Sequence, residues 1–170
     1  LDEGPADYDA RHRFTLAATY ELPFAKGNPI AGGWALNTVI TTQSGTPFTV
    51  YSSGDGIKRA DQSGDANNGP HTTDKWFDTS VFSPAKGSQG TARRNSVRGP
   101  GIRTVDLSIF KTFTMAKAGA IELRFEGFNI FNEPVYSQPN NVVGDPNFGK
   151  ITGTRLNSER QVQIAARYLF

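Results

Sequence analysis

The sequence predicts an all-β protein, an antiparallel up-and-down meander of about five long strands that forms part of a transmembrane β-barrel. Apolar and polar residues alternate with period two over five stretches, which is the pattern of strands with one apolar face. Each stretch reaches the length of about 9–11 residues that a membrane-spanning strand needs. Short and long connections alternate between the stretches, as in outer-membrane barrels, whose short turns and long loops lie at opposite ends.

The first two predicted strands cover residues 11–22 and about 33–51, and a Pro/Gly-rich turn joins them. Gly45 and Pro47 are expected to bend or bulge the outer end of the second strand. The apolar positions of the two strands are Phe14, Leu16, Ala18, Tyr20 and Leu22, followed by Trp34, Leu36 and Ile40.

The third and fourth predicted strands cover residues 102–115 and about 120–136, with a tight turn at 116–119. In the third strand, five apolar residues alternate with mostly polar ones. In the fourth strand, the alternation breaks at residues 128–131, where both faces become partly apolar. The apolar positions are Val105, Leu107, Ile109, Phe113 and Met115, followed by Ile121, Leu123 and Phe125.

The fifth predicted strand covers residues 160–170 and carries a regular alternation up to an aromatic residue. Tyr168 and Phe170 are expected in the aromatic girdle at the periplasmic interface of the barrel. Residues 52–101 and 137–159 are expected to be the long external loops. All 170 residues are thereby assigned to one outer-membrane barrel domain.

Composition excludes several classes of protein. Net charge is +2, so nothing indicates a nucleic-acid interface. The absence of cysteine removes disulfide scaffolds and thiolate metal sites. There is no apolar run of the length that a transmembrane helix needs. Because the chain starts at Leu1 without a signal peptide, we expect it to be a fragment of a longer protein.

The same strands also allow a soluble β-sandwich, in which a second sheet would cover the apolar faces. That second sheet would have to come from the long loops. These loops are rich in Gly, Pro, Asn, Asp and Ser and show little alternation, so the membrane barrel is favoured. The soluble alternative would be a carbohydrate-binding module that uses Trp76 and Phe77.

Five stretches that follow one another along the chain resemble the C-terminal part of TonB-dependent outer-membrane receptors. The resemblance is to the Oar-like group, which has a carboxypeptidase-regulatory-like N-terminal domain. These stretches are residues 8–24 (YDARHRFTLAATYELPF), 33–50, 92–113 (ARRNSVRGPGIRTVDLSIFKTF), 123–136 (LRFEGFNIFNEPVY) and 145–155.

The resemblance implies part of a barrel of about 22 strands with a plugged lumen, in the outer membrane of a Gram-negative bacterium. Such receptors bind an external ligand and import it with energy that the TonB complex transmits through the N-terminal plug. The final strand, with Ile164, Tyr168 and Phe170, resembles the signal that the barrel-assembly machinery recognises. Membrane lipid and lipopolysaccharide are further expected partners. A barrel used for adhesion or secretion remains an alternative.

Two sets of residues are candidates for ligand contact, and each also has a structural explanation. Trp76 and Phe77 could stack on a sugar or form a local apolar cluster that folds the loop. Arg93, Arg94 and Arg98, with nearby Arg103, could attract an anionic ligand or a lipopolysaccharide phosphate, or could pair with acids such as Asp106 or those of the loops.

Charged residues of strands four and five are expected on the lumen side. Glu122, Arg124, Glu126 and Arg167 could contact the plug or line a polar path. Ion pairing along the lumen wall would also explain them, with Arg167 near Glu122 or Arg124.

The long loop carries oxygen ligands at Asp55, Asp61, Asp65, Asn67 and Asn68, which could hold Ca²⁺, although the spacing does not match an EF-hand. A solvated, turn-rich loop is favoured. His12 and His71 have no partners with catalytic or metal-ligand spacing, and no nucleotide-binding or hydrolase motif occurs. We therefore expect neither enzyme activity nor a cofactor.

Overall fold

A computed structural model of the chain describes residues 3–54, 58–115 and 118–170. The fold is all-β and divides into two compact units. We call Leu1–His12, Gln43–Ile102 and Val135–Arg155 the loop unit, and Arg13–Thr42, Arg103–Pro134 and Leu156–Phe170 the sheet unit. The turn at 116–117 and Asp55 lie outside the described residues.

The described residues contain twelve strands and two short 3-10 helices, Ala66–Asn68 and Thr79–Val81. The strands are β1 Arg13–Glu21, β2 Trp34–Gln43, β3 Pro47–Phe48, β4 Tyr51–Ser52, β5 Lys58–Arg59, β6 Asp61–Gln62, β7 Phe82–Ser83, β8 Val97–Arg98, β9 Ile102–Met115, β10 Gly119–Phe128, β11 Val142–Val143 and β12 Gln161–Leu169.

The five long strands form one sheet in the order β1-β2-β9-β10-β12. They have 9, 10, 14, 10 and 9 residues, which matches the length of membrane-spanning strands rather than the mode of about 5–6 residues in globular proteins. β10 pairs antiparallel with β9 and with β12. The predicted fold class is therefore confirmed, although five strands alone do not close a barrel.

Two strand ends differ from the prediction. The second strand ends at Gln43 rather than near residue 51, because Pro47–Phe48 leaves the sheet to pair with Val97–Arg98. The fourth ends at Phe128 rather than near 136. There Asn129 takes a left-handed φ of 47° and its backbone N–H donates to the Asp106 carboxylate at 2.8 Å, so the chain turns away from the strand direction.

Strand register sorts the side chains of the sheet into an apolar face and a polar face. Ile109 lies opposite Phe125, which lies opposite Ile164. Directly opposed residues of an antiparallel pair point to the same side, so these three form one apolar row across the sheet. Phe125 is 41% exposed and Ile164 is 74% exposed. The apolar face is thus uncovered, which a soluble sandwich does not permit.

The loop unit has an apolar core of its own. Its strands are two residues long and pair locally, as β3 with β8, β6 with β7, and β4 with β5 and β11. The core consists of Phe48, Val50, Ala60, Ala66, Phe77, Phe82, Ala92, Val97 and Val143. Segments predicted as external loops are therefore ordered around buried apolar side chains, and Trp76, Val81 and Phe148 pack against them.

No helix in the part of the chain that the structure describes has the length and hydropathy to cross a membrane.

One lysine lies on the apolar face of the sheet. Lys111 is directly opposite Leu123 and is only 5% exposed. Its ammonium donates to the carbonyls of Pro29 (2.7 Å), Ile30 (2.9 Å) and Gly32. The same ammonium lies 4.8 Å from the Phe113 ring centroid and 5.9 Å from that of Trp34. The turn between β1 and β2 therefore provides the polar partners that a lysine needs on an apolar surface.

Replacing Lys111 with Met should loosen this turn, because the carbonyls of residues 29, 30 and 32 lose their shared donor. We expect a loss of roughly 1–3 kcal/mol in unfolding free energy, measured by urea unfolding of the full-length protein in detergent micelles. Lys150→Met is the matched control, because Lys150 is exposed and its side chain has no partner among the described residues. Equal stability of the two variants would contradict this role for Lys111.

Asn129 joins three segments of the sheet unit and should also be sensitive to substitution. Its side-chain amide donates to the carbonyls of Glu133 (2.8 Å) and Ser158 (2.7 Å) and accepts from the Glu133 N–H (3.0 Å). Asn129→Ala removes these bonds. Alanine also lacks the short polar side chain that lets asparagine adopt a positive φ, so we expect a loss of about 2–4 kcal/mol in unfolding free energy. Asn129→Gly keeps the backbone conformation, so it should be measurably less damaging in the same unfolding experiment.

Candidate functional site

The polar face of the sheet carries a row of three alternating charges on β10. The Arg124 guanidinium donates to Glu122 at 3.0 Å and to Glu126 at 3.4 Å, and its carbon Cζ lies 4.8 Å from the Phe110 ring centroid. The two glutamate side chains are each only 18% exposed. These contacts neutralise Arg124, and the two glutamates and one arginine leave the row with a net charge of −1.

Neighbouring strands extend this charged row. Arg167 lies directly opposite Glu122 across the β10–β12 pair, as the sequence suggested. It is exposed and forms no ion pair with any described residue. The Gln163 amide donates to the other oxygen of Glu126. A shallow cavity of about 110 Å³ lies beside the row and includes Asn37, Asp106 and Ser108 in its lining. The charged row, Arg167 and the cavity therefore present hydrogen-bond donors and acceptors on the polar face of the sheet, where another polar protein surface can contact them.

The arginines of the loop unit are paired with acids that precede β1. Arg94 lies 3.4 Å from Asp7. The Arg98 guanidinium bonds to the Asp9 carboxylate and to the Gly45 carbonyl at 3.1 Å. Pairing with acids was one of the two expectations for these arginines, but the example given, Asp106, is not their partner, because it accepts the backbone N–H of Asn129. Arg93 is exposed, with no ion pair among the described residues.

Asn95 completes this link and was not singled out by the sequence. It is buried, with φ of 54°, and its side-chain amide donates to the Pro5 carbonyl at 2.7 Å and to Asp7. Together with the Arg94 guanidinium, the Asn95 amide holds the pKa of the Asp7 carboxyl below its ordinary value. The dipeptide Asn95-Ser96 in a turn was the available sequence signal, because Asn tolerates positive φ.

The two aromatic candidates have different environments. Phe77 is 1% exposed and makes edge-to-face contacts with the rings of Phe48 and Phe148, with centroids 5.5 Å and 5.4 Å away. As a direct ligand contact Phe77 is therefore wrong, since its ring belongs to the core. Trp76 is partly exposed, and its indole N–H donates to the Arg98 carbonyl at 2.8 Å.

The oxygen-rich loop residues are used within the loop unit. Asp61 accepts the backbone N–H groups of Lys86 and Thr91, both at 3.1 Å. Asp65 caps the first 3-10 helix through the Asn67 N–H at 2.9 Å, a bond that lowers the pKa of the Asp65 carboxyl. Among residues 3–54, 58–115 and 118–170, no three His, Asp or Glu side chains converge as metal ligands.

At the end of β12 the expected girdle aromatics are exposed. Tyr168 stacks on Phe170, with ring centroids 5.9 Å apart, and its hydroxyl donates to the Ala118 carbonyl. Ile164 and Tyr168 share the apolar face with Phe125 and Ile121. The three candidate assembly-signal residues thus present apolar side chains to the surroundings.

A sheet of long strands, apolar on an uncovered face and charged on the other, defines the wall of a transmembrane β-barrel. A family model described as "Outer membrane beta barrel domain" matches residues 1–163, and the chain belongs to this family. It is an outer-membrane barrel protein. No curated protein and no solved structure matches the chain.

The bonds of the Asp7 carboxylate to Asn95 and Arg94 predict a pH-dependent release of the segment before β1. Because the folded pKa of Asp7 is lowered, its contribution to stability is present at neutral pH and is lost as pH falls below about 4. A spin label on Glu3→Cys, in a chain without other cysteines, should become more mobile below that pH.

The same label should be mobile at every pH in the Asp7→Asn variant. A label on Gly87→Cys, where an added Cβ would meet only the Gln89 carbonyl oxygen at an ordinary contact distance of 3.7 Å, serves as the control. If the Glu3 label reported the same mobility from pH 7 to pH 3, the proposed hold of Asp7 on Asn95 and Arg94 would be refuted.

Proposed function

We propose that the chain is the C-terminal barrel segment of a TonB-dependent outer-membrane receptor of the Oar-like group. The receptor would bind a ligand outside the cell and import it with energy transmitted from the inner membrane. The main support is the loop unit. The connection from β2 to β9 and the connection from β10 to β12 fold together around one apolar core. An ordered structure of this size is expected in a receptor that recognises a ligand, and a simple pore does not need one.

The open sheet supports a larger barrel. Even the smallest barrels have about eight strands, and β1 and β12 are both edge strands in the order β1-β2-β9-β10-β12. Unpaired edges of long strands invite association with other strands. We infer that strands outside this sequence pair with both edges and close the barrel.

The charged row on the polar face would then contact the plug. Glu122, Arg124 and Glu126 are paired and keep one unbalanced negative charge, while Arg167 is exposed and has no ion pair among the described residues. A polar plug surface with complementary charges would pair with the unbalanced negative charge of the row and with Arg167. Ion pairing of the lumen wall alone remains the competing explanation, since Arg124 is already neutralised.

Ile164, Tyr168 and Phe170 would act in biogenesis rather than in transport. Their exposed apolar side chains on one strand fit recognition by the barrel-assembly machinery, and later contact with lipid at the inner interface. The arginine and tryptophan candidates Arg93, Arg94, Arg98 and Trp76 stay on the loop unit as positions that an external ligand could reach.

Photo-crosslinking of the full-length protein in native membranes tests the arrangement. A crosslinker at Arg167 should form an intramolecular product with the N-terminal plug, whereas one at Ile164, on the other face of the same strand, should label lipid. Absence of a protein product from Arg167 would contradict plug contact.

Energy coupling is tested separately by retention of the TonB periplasmic domain on the immobilised full-length protein. Binding is expected for a receptor. A barrel that adheres or secretes would not retain TonB, and that result would replace the import proposal with this alternative.

A further inference from the structure

The turn between β1 and β2, residues 22–33, reaches over the apolar side of the sheet. Lys111 and Trp34 both lie on that side. Lys111 is directly opposite Leu123, and the Trp34 ring centroid lies 6.5 Å from that of Phe125. The Trp34 indole N–H donates to the Ile30 carbonyl at 3.2 Å, and the Lys111 ammonium donates to the same carbonyl at 2.9 Å. The backbone of the turn is therefore bonded to side chains of the apolar face.

Every backbone N–H group of residues 28–32 has an acceptor inside the turn. The Asn28 side-chain oxygen accepts the N–H groups two and three positions later, both at 2.9 Å. The Asn28 N–H donates to the Ala25 carbonyl, and the Gly32 N–H donates to the Asn28 carbonyl, both at 3.0 Å. Pro29 has no N–H group to satisfy. The donors of this segment therefore do not need water.

The carbonyls of the segment are bonded as well, although one of its side chains is open. Lys111 takes the carbonyls of Pro29, Ile30 and Gly32. The Ile30 side chain, however, is 75% exposed. A turn in water can leave its polar groups to the solvent, whereas backbone beside hydrocarbon must be satisfied internally. An exposed apolar side chain on a satisfied backbone is thus suited to contact with lipid.

The position of the turn identifies the lipid. It is one of the short connections of the sheet, and the short turns of outer-membrane barrels are periplasmic. Leu169 pairs with Ala120, beside the other short turn, so the end of β12 lies at the same rim. The periplasmic leaflet of an outer membrane consists of phospholipid. Phospholipid acyl chains are therefore the hydrocarbon available to Ile30.

We propose that the β1–β2 turn is seated in the periplasmic leaflet, with the Ile30 side chain between phospholipid acyl chains just below the head groups. Asn28 and Lys111 make this possible by satisfying the backbone of residues 28–32. The contact continues the lipid-facing surface of the sheet, on which Ile164 is 74% exposed. The competing arrangement is a turn in periplasmic water. The proposal depends on outer-membrane placement and not on import.

Fluorescence quenching tests this placement. A bimane label is attached to Ile30→Cys in a cysteine-free version of the full-length protein in phospholipid vesicles, with iodide on both sides of the membrane. Phospholipid that carries a nitroxide near its head group should quench the label strongly, and iodide should quench it weakly.

Two other positions calibrate the measurement. A label on Ile164→Cys, in the middle of β12 on the apolar face, should be quenched best by a nitroxide deep in the acyl chain. A label on Gly87→Cys, in the loop unit, should be quenched mainly by iodide. An Ile30 label that iodide quenches as strongly as the Gly87 label would overturn the proposal.

The role of the internal hydrogen bonds is tested in the same vesicles. Asn28→Ala leaves two N–H groups without an acceptor, so the turn should move to water and iodide quenching of the Ile30 label should rise several-fold. Asn28→Ser, which keeps a side-chain oxygen, should retain part of the protection.

Lys111→Met should also raise iodide quenching of the Ile30 label, and Lys150→Met, the matched control, should not. An Ile30 label that stays protected in both Asn28→Ala and Lys111→Met would refute the part assigned to the satisfied backbone. Unchanged quenching at Ile164 and heat-dependent migration on gels verify that each variant is folded.

Discussion

The pairing register of β9, β10 and β12 is the constraint on which the sheet depends. It places Ile109, Phe125 and Ile164 in one row, and it places Phe110, Arg124 and Ala165 in the adjacent row on the opposite face. Because side chains alternate along a strand, a slip of one residue in one strand would exchange its faces. In a bilayer such a slip would expose Glu122, Arg124 and Glu126 to hydrocarbon at a cost of several kcal/mol. Membrane placement therefore strongly favours this register.

Each charge near the apolar face requires its own solution. Lys111 is satisfied by backbone carbonyls of a turn and by two aromatic rings. Arg124 lies on the other face and is neutralised by neighbours on its own strand. Arg103 and Glu133 are exposed and have no such partners among the described residues. The sheet thus tolerates buried or half-buried charge where geometry supplies a partner, and its other charges are exposed.

The sequence predicted much of the sheet and little of the loop unit. Period-two alternation located all five long strands, and the bounds of β9 were predicted to the residue. The strand ends after Gln43 and Phe128 were missed, because they depend on pairing with Val97–Arg98 and on the conformation of Asn129. The loop strands are two residues long, which is too short for any alternation. The core position of Phe77 follows from contacts with residues distant in sequence, so its stacking on a ligand was a reasonable but wrong hypothesis.

Charge pairing shows the same division. The alternation of Glu122, Arg124 and Glu126 in one strand determined that they share a face, and the structure shows that Arg124 pairs with both glutamates. The partners of Arg94 and Arg98 are Asp7 and Asp9, some 87 and 89 positions away, a separation that local pattern does not encode. By itself the sequence determined where the five long strands lie and which face of each is apolar, because both follow from a repeat of two residues. The tertiary structure decided where strands end, which loop residues are buried and which charges stay unpaired, because these depend on contacts between distant segments.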